Sequence, residues 1–212
     1  MTGLFKWSPR KTEPPLPAPA PPSNEVVATS KVLPRFLSAL ASQSTPVLLD
    51  LGPIVGANIS FFGDRLACKI YVEDFVSDIE AHAKNEKREA VGEALLGRLT
   101  QEPETVDGIL CWDLFDFLER GVGLTLASRL ARLLRHGGVL YGFFGMSAGE
   151  VRNYSRFVVE SEETLRIRSL PATPVPRTVL QPRDLVKMFD PLLVTESVLL
   201  KSNVRETLLR KP

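Results

Sequence analysis

The chain is poor in cysteine and histidine. Its 212 residues include two cysteines, Cys68 and Cys111, and two histidines, His82 and His136. Residues this few and this scattered cannot supply the ligand spacing of a zinc site, so no metal centre is expected. Both cysteines lie inside apolar stretches, which is typical of reduced thiols in the core of a cytoplasmic protein.

The chain also lacks a charge excess and a long apolar run. It has 26 Lys and Arg residues against 25 Asp and Glu, a net charge of +1. No overall field therefore favours nucleic acid or an anionic membrane. No apolar run approaches the roughly 20 residues of a membrane span, and residues 1–11 lack the apolar core of a signal peptide. We expect a cytoplasmic protein with no membrane span and no nucleic-acid partner.

Proline is concentrated near the amino terminus. Residues 8–23 read SPRKTEPPLPAPAPPS and hold seven prolines. Proline lacks an amide donor and favours extended polyproline II, so no packed core is expected there. We interpret residues 1–24 as a disordered proline-rich tail that could dock a partner, and residues 25–212 as one domain.

Short apolar runs alternate with helical stretches through the middle of the domain. The runs at 46–52, 66–75, 108–115 and 137–144 are typical of buried strands, and 76–99 and 124–136 have helical character. This alternation predicts an α/β fold with a doubly wound, mostly parallel sheet. Residues 192–211 predict two antiparallel strands that meet at Ser202 and Asn203 and close the sheet as a C-terminal hairpin.

An acid and two glycines follow the first of these strands. Residues 48–58 read LLDLGPIVGAN, with Asp50 at the strand tip and Gly52 and Gly56 after it. Ligands of open parallel sheets bind at the carboxyl ends of the strands, where glycine lets the backbone approach them. The dinucleotide pattern G-x-G-x-x-G is absent from this turn, and an acid suits a cationic or hydroxyl-bearing ligand better than a pyrophosphate.

This turn resembles the first loop, D-x-G-x-G-x-G, of the class I S-adenosylmethionine-dependent methyltransferases. Asp50, Gly52 and Gly56 match it, and Ile54 replaces the middle glycine. Residues 104–118 and 130–144 look like the fourth strand and the fifth helix and strand of that family. The resemblance covers roughly residues 30–212 and implies a seven-stranded sheet with S-adenosylmethionine as the cofactor.

The resemblance also implies roles for further residues. In that family the loop embraces the methionine part of the cofactor, and an acid after the second strand holds the ribose. Glu73 lies at that position, with Asp74 as the alternative, and Gln101 or Glu102 would lie near the adenine.

The turn after the fourth strand would face the transferred methyl group. Trp112 could pack against the cofactor, and Asp113 could accept a proton from the acceptor or orient it. Equally, Trp112 and Phe115 could belong to the core, with Asp113 as the cap of the next helix.

Three hypotheses follow. The first is a methyltransferase that acts on a small-molecule or protein acceptor. The second is a catalytically degenerate relative that keeps the fold as a binding or scaffold protein, which Ile54 favours. The third, a nicotinamide-dependent oxidoreductase, is disfavoured because the pyrophosphate glycines are missing.

Overall fold

A computed structural model describes residues 24–85 and 90–212 of the chain. The strands are β1 (Glu25–Thr29), β2 (Val47–Asp50), β3 (Lys69–Val72), β4 (Val106–Trp112), β5 (Leu134–Gly145), β6 (Glu150–Val159), β7 (Thr164–Pro176), β8 (Leu193–Leu199) and β9 (Val204–Arg210). The helices are α1 (Leu33–Ala41), α2 (Gly56–Leu66), α3 (Phe75–Lys84), α4 (Val91–Arg98), α5 (Arg120–Leu133) and α6 (Pro182–Met188), with a 3-10 turn at Leu114–Phe117.

The larger sheet has the order β3-β2-β4-β5-β9-β8. Strands β3, β2, β4 and β5 are parallel, whereas β9 runs antiparallel to β5 and to β8. The predicted α/β fold with a mostly parallel sheet and an antiparallel C-terminal hairpin is thus observed.

Both faces of this sheet are covered, as its strand sequences predict. Alternate residues of a strand point to opposite faces. Leu49 and Ile109 pack with α3, α4, α5 and α6 on one face, whereas Leu48 and Leu110 pack with α1 and α2 on the other. Gly108 allows α1 to approach β4, because a Cβ there would lie 2.7 Å from Leu40 Cδ2.

The predicted seventh strand is not found among the described residues, and the larger sheet has six. The segment 97–103, which would have supplied the third strand, ends α4 and continues as a loop. It offers a single buried apolar side chain, Leu99. Arg129 Nη2 donates to the carbonyls of Leu99 and Gln101, both at 2.9 Å, so these carbonyls bond a guanidinium rather than a neighbouring strand.

A second, three-stranded antiparallel sheet has the order β1-β7-β6. Its strand β6 is joined to α2 by the buried side chain of Asn58. Asn58 Nδ2 donates to Phe157 O at 2.9 Å, and Val159 N donates to Asn58 Oδ1 at 2.8 Å. The amide side chain therefore bonds the edge of β6 as a neighbouring strand would.

A buried polar network connects the chain just after β1 to the larger sheet. Glu206 of β9 is 1% exposed and accepts hydrogen bonds from Ser30 Oγ and, at 2.5 Å, from Tyr141 OH. Ser30 Oγ also accepts from Leu33 N at 2.8 Å at the start of α1. The carboxylate is therefore compensated by hydroxyl donors, as a buried charge requires.

Cys68 and Cys111 are free thiols, Cys111 being fully buried. Within the two described ranges, no helix has both the length and the apolar character needed to cross a bilayer.

We predict that Asn58→Ala destabilises the domain by about 2 to 4 kcal/mol, because it leaves a buried carbonyl and a buried amide of β6 without partners. The free energy of unfolding from urea denaturation measures this. Ile59→Ala, on the same helix at a side chain that is 42% exposed, is the matched control and should cost about 1 kcal/mol or less. Equal losses in the two variants would contradict the bridging role of Asn58.

Candidate functional site

The residues predicted to bind a cofactor come from three neighbouring strand ends. Asp50 ends β2, Glu73 follows β3, and Trp112 ends β4. Because these strands are parallel, their carboxyl ends share one edge of the sheet. Glu73 N donates to Asp50 O at 2.9 Å, so the pairing continues to the strand tips. The structure therefore brings the predicted residues to one crevice, the space at the carboxyl ends of β2, β3 and β4.

Asp50 is buried and bonded within the protein. Its Oδ1 accepts from Gly52 N at 2.9 Å and from Trp112 Nε1 at 2.7 Å, and the residue is 4% exposed. Burial raises the pKa of Asp50 to about 6, although these two hydrogen bonds act in the opposite direction. The carboxylate is thus already engaged by internal donors.

Trp112 fills the space that Gly52 leaves open. A Cβ on Gly52 would lie 2.5 Å from Trp112 Cδ1 and 2.8 Å from Trp112 Nε1. The indole is stacked on Phe157, with 4.9 Å between ring centroids and 8° between planes, and Phe143 stacks on Phe157 at 4.8 Å. Trp112 is 3% exposed. Aromatic side chains of the protein thus occupy the space next to the glycine.

The backbone of Trp112 is strained. Its φ of +47° lies in the left-handed region, at a register shift between β4 and β5. Such a conformation costs roughly 1 to 2 kcal/mol for a residue with a Cβ. The hydrogen bond to Asp50 and the buried ring stack offset this cost.

Ile54 and Gly56 do not shape this space. Ile54 is 63% exposed and lines, with Pro53 and Asp74, a cavity of about 260 Å³ at this edge of the sheet, so its side chain borders the crevice and does not fill it. Gly56 begins α2, and a Cβ there would meet nothing within 4 Å. The side chain that occupies the space next to Gly52 is therefore that of Trp112, at the end of β4, and not that of Ile54.

The acids predicted to hold the ribose have separate partners. Glu73 Oε2 lies 3.2 Å from Arg98 Nε, and Glu73 Oε1 accepts a hydrogen bond from Gln101 Nε2 at 3.4 Å. Gln101 Oε1 is buried without a hydrogen-bond partner among the described residues. Asp74 caps α3, accepting from Ser77 N at 3.2 Å and from Ser77 Oγ at 2.9 Å. Glu73 and Gln101 are therefore in contact, whereas Asp74 bonds the start of α3.

The remaining predicted residues are Asp113 and Glu102. Asp113 Oδ2 accepts from Ser155 N of β6 at 3.1 Å and makes no side-chain cap bond to the 3-10 turn. Burial raises the pKa of Asp113 to about 7. The hydrogen bond from Ser155 lowers this pKa, and the nearby negative charge of Asp116 raises it further. Glu102 is exposed in the loop before β4.

These contacts decide how well S-adenosylmethionine fits. The methionine part does not fit with the side chains in these positions, because the indole of Trp112 covers Gly52 and donates a hydrogen bond to Asp50 Oδ1. The adenosine part has better support, since Glu73 and the unpartnered Gln101 Oε1 lie together. No metal site is evident in the described ranges, where no group of three His, Cys, Asp or Glu side chains could hold an ion.

Sequence reasoning missed Phe157 and Asn58, which hold β6 against this crevice. Neither carries a local signal, because each acts through a contact about 45 or 100 residues away along the chain. The continuous apolar run at 157–159 was the available hint that this end of β6 is buried.

Residues 145–149 have the spacing G-x-S-x-G. In hydrolases this pattern forms a strand-to-helix turn that exposes the serine. Here it connects two strands, β5 and β6, and Asn203 Nδ2 donates to Ser147 Oγ at 2.5 Å. No hydrogen bond among the described residues joins Ser147 to a histidine, and the strand-to-helix turn of that pattern is not formed here.

Comparisons with known proteins identify the fold. No protein-family model matches the chain, and no curated protein matches it either. The chain is similar to the solved structure of an S-adenosylmethionine-dependent methyltransferase from Clostridium acetobutylicum ATCC 824, with a TM-score of 0.50 at 12% identity over 87% of this chain and 92% of that one. A protein from Pyrococcus horikoshii OT3 gives 0.50 at 14% identity over 86% and 89%.

Structural similarity at identities this low establishes the architecture alone. What the chain binds or catalyses has to be argued from the residues of the crevice. The resemblance found in the sequence is confirmed at that level: the chain has the Rossmann-like fold of the class I S-adenosylmethionine-dependent methyltransferases.

Proposed function

We propose that this chain uses the methyltransferase fold as a binding module and does not transfer methyl groups. The observation that carries this proposal is the indole of Trp112, which lies over Gly52 and bonds the carboxylate of Asp50. The space in which the methionine part of the cofactor would lie is thereby filled from within.

Displacing the indole would be costly. A tryptophan buries about 150–250 Å² of surface, which corresponds to about 4 to 6 kcal/mol. A ligand with a Kd of 1 μM gains about 8 kcal/mol on binding. Moving Trp112 would therefore offset about half to three quarters of that gain and weaken a micromolar ligand to roughly millimolar affinity or worse.

Docking of partners through residues 8–23 is the accompanying proposal. That segment lies outside the described residues and stays a prediction from its proline content. Proline-rich segments of this kind are recognised by domains with aromatic grooves.

Methyl transfer from S-adenosylmethionine to a small-molecule or protein acceptor is the second candidate. The fold and the meeting of Glu73 with Gln101 favour it. Asp113, with its pKa raised by burial to about 7, is suited to exchange a proton near neutral pH. In that case Trp112 would have to leave Gly52 before the cofactor enters.

Titration with S-adenosylhomocysteine separates the two candidates. We expect isothermal calorimetry of the wild-type protein to show no saturable heat at 1 mM ligand, because the indole occupies the pocket. Trp112→Ala removes that obstacle, and a gain of binding in this variant would support the steric explanation. A wild-type Kd below about 100 μM would contradict the binding-module proposal.

If S-adenosylhomocysteine does bind, substitution of Glu73 tests whether this residue holds the ribose. Glu73→Ala should then weaken binding by about 1 to 3 kcal/mol, since two hydrogen bonds to the ribose would be lost. Glu93→Ala, on the first turn of α4, is the matched control. Unchanged affinity in Glu73→Ala would assign the ribose to another residue.

The internal role of Asp50 predicts a pH dependence of stability. Burial raises the pKa of Asp50 and Asp116 to about 6 and that of Asp113 to about 7. The folded protein therefore binds these protons more tightly than the unfolded chain, and stability should rise as pH falls from 8 to 5. Asp50 alone should contribute about 1 kcal/mol over this range.

Urea denaturation at pH 5, 6, 7 and 8 measures this effect. Asp50→Asn should reduce the dependence by about 1 kcal/mol, because its amide does not titrate whereas Asp113 and Asp116 still do. Substitution of the exposed Asp64 by Asn should leave the dependence unchanged. A wild-type protein that is most stable at pH 8 would show that burial does not control these carboxyls.

A further inference from the structure

A cavity of about 280 Å³ lies apart from the crevice, between α3, the start of α4 and the segments 117–120 and 175–178. We name it the α3 cavity. Its apolar wall consists of Ile79, Ala83, Val91, Phe117 and Val175. Four of these are less than 9% exposed, and Phe117 is half-buried. A volume and lining of this kind suit a small apolar ligand of one or two rings.

The charged groups around the α3 cavity are already paired. Arg120 Nη2 lies 2.6 Å from Asp184 Oδ1, and Arg177 Nε lies 3.0 Å from Asp116 Oδ2. Each guanidinium thus has its own carboxylate, and Glu119 adds a further acid at the rim. A negatively charged ligand would gain little here, so an uncharged ligand fits best.

His82 provides a hydrogen-bond acceptor at the cavity. Its Nδ1 lies 2.7 Å from Asp78 O, and a carbonyl oxygen only accepts, so Nδ1 carries the hydrogen. In a neutral imidazole the other nitrogen, Nε2, is then an acceptor. Since His82 lines the cavity, a ligand with an N–H or O–H group can donate to this nitrogen.

We propose that the α3 cavity binds an uncharged aromatic molecule of one or two rings that carries an N–H or O–H donor. The ring packs against Phe117 and the aliphatic side chains, and the donor bonds His82 Nε2. This inference goes beyond the proposed function and does not depend on whether Trp112 closes the crevice.

Indole and 1-methylindole are suitable probes because they differ in the N–H group. Isothermal calorimetry of the full chain at pH 8 should show one-to-one binding of indole, with a Kd on the order of 0.1 to 1 mM for a ligand of this size. 1-Methylindole should bind at least about fivefold more weakly, because the bond to His82 is lost. Adding S-adenosylhomocysteine should leave the indole affinity unchanged, because the two sites are separate.

Two variants locate the site. Ala83→Phe fills the cavity and should abolish indole binding, whereas Ala81→Phe, at an exposed position of the same helix, should not change it. His82→Phe should bring the affinities for indole and 1-methylindole to within twofold of each other, because the acceptor nitrogen is gone. This comparison is made on a variant that is still folded.

The proposal fails if the wild-type protein shows no saturable binding of indole up to its solubility limit. It also fails if Ala83→Phe and Ala81→Phe bind indole equally, or if His82→Phe still distinguishes the two probes. Circular dichroism of each variant confirms that the compared proteins are folded.

Discussion

The hydrogen bond from the indole of Trp112 to the carboxylate of Asp50 determines what the crevice can hold. It places an aromatic ring over Gly52, and it gives a buried acid one of the donors that its burial requires. The positive φ of Trp112 is maintained because this bond and the stack on Phe157 both need the ring in that position. The side chains of Asp50 and Trp112 at the strand tips are thus engaged in internal contacts.

The smaller sheet adds contacts of its own at the strand tips. Phe157 of β6 packs on Trp112, Ser155 of the same strand bonds Asp113, and Thr173 of β7 bonds Glu80 of α3. Asn58 fixes the edge of β6 to α2. The hairpin of β6 and β7 therefore contacts both sides of the crevice, through groups that in an open site would face solvent or ligand.

The fold could be predicted from the sequence because buried parallel strands have continuous apolar runs, and the convergence of Asp50, Glu73 and Trp112 follows from parallel pairing. The direction of the Trp112 side chain could not. It depends on a left-handed backbone residue and on Phe157, both consequences of long-range packing. The third strand that the resemblance implies could not be located from the sequence, because the segment 97–103 has one strongly apolar residue, Leu99, and so shows no clear period.

The position of β9 has a consequence for folding during synthesis. This last of the described strands lies between β5 and β8, and its Glu206 receives a hydrogen bond from Ser30, 176 residues earlier. Until β9 has left the ribosome, β8 has no partner strand and the hydroxyl of Tyr141 lacks the carboxylate of Glu206. The larger sheet therefore stays incomplete until β9 has emerged, and its exposed edges in that interval are surfaces that chaperones could cover.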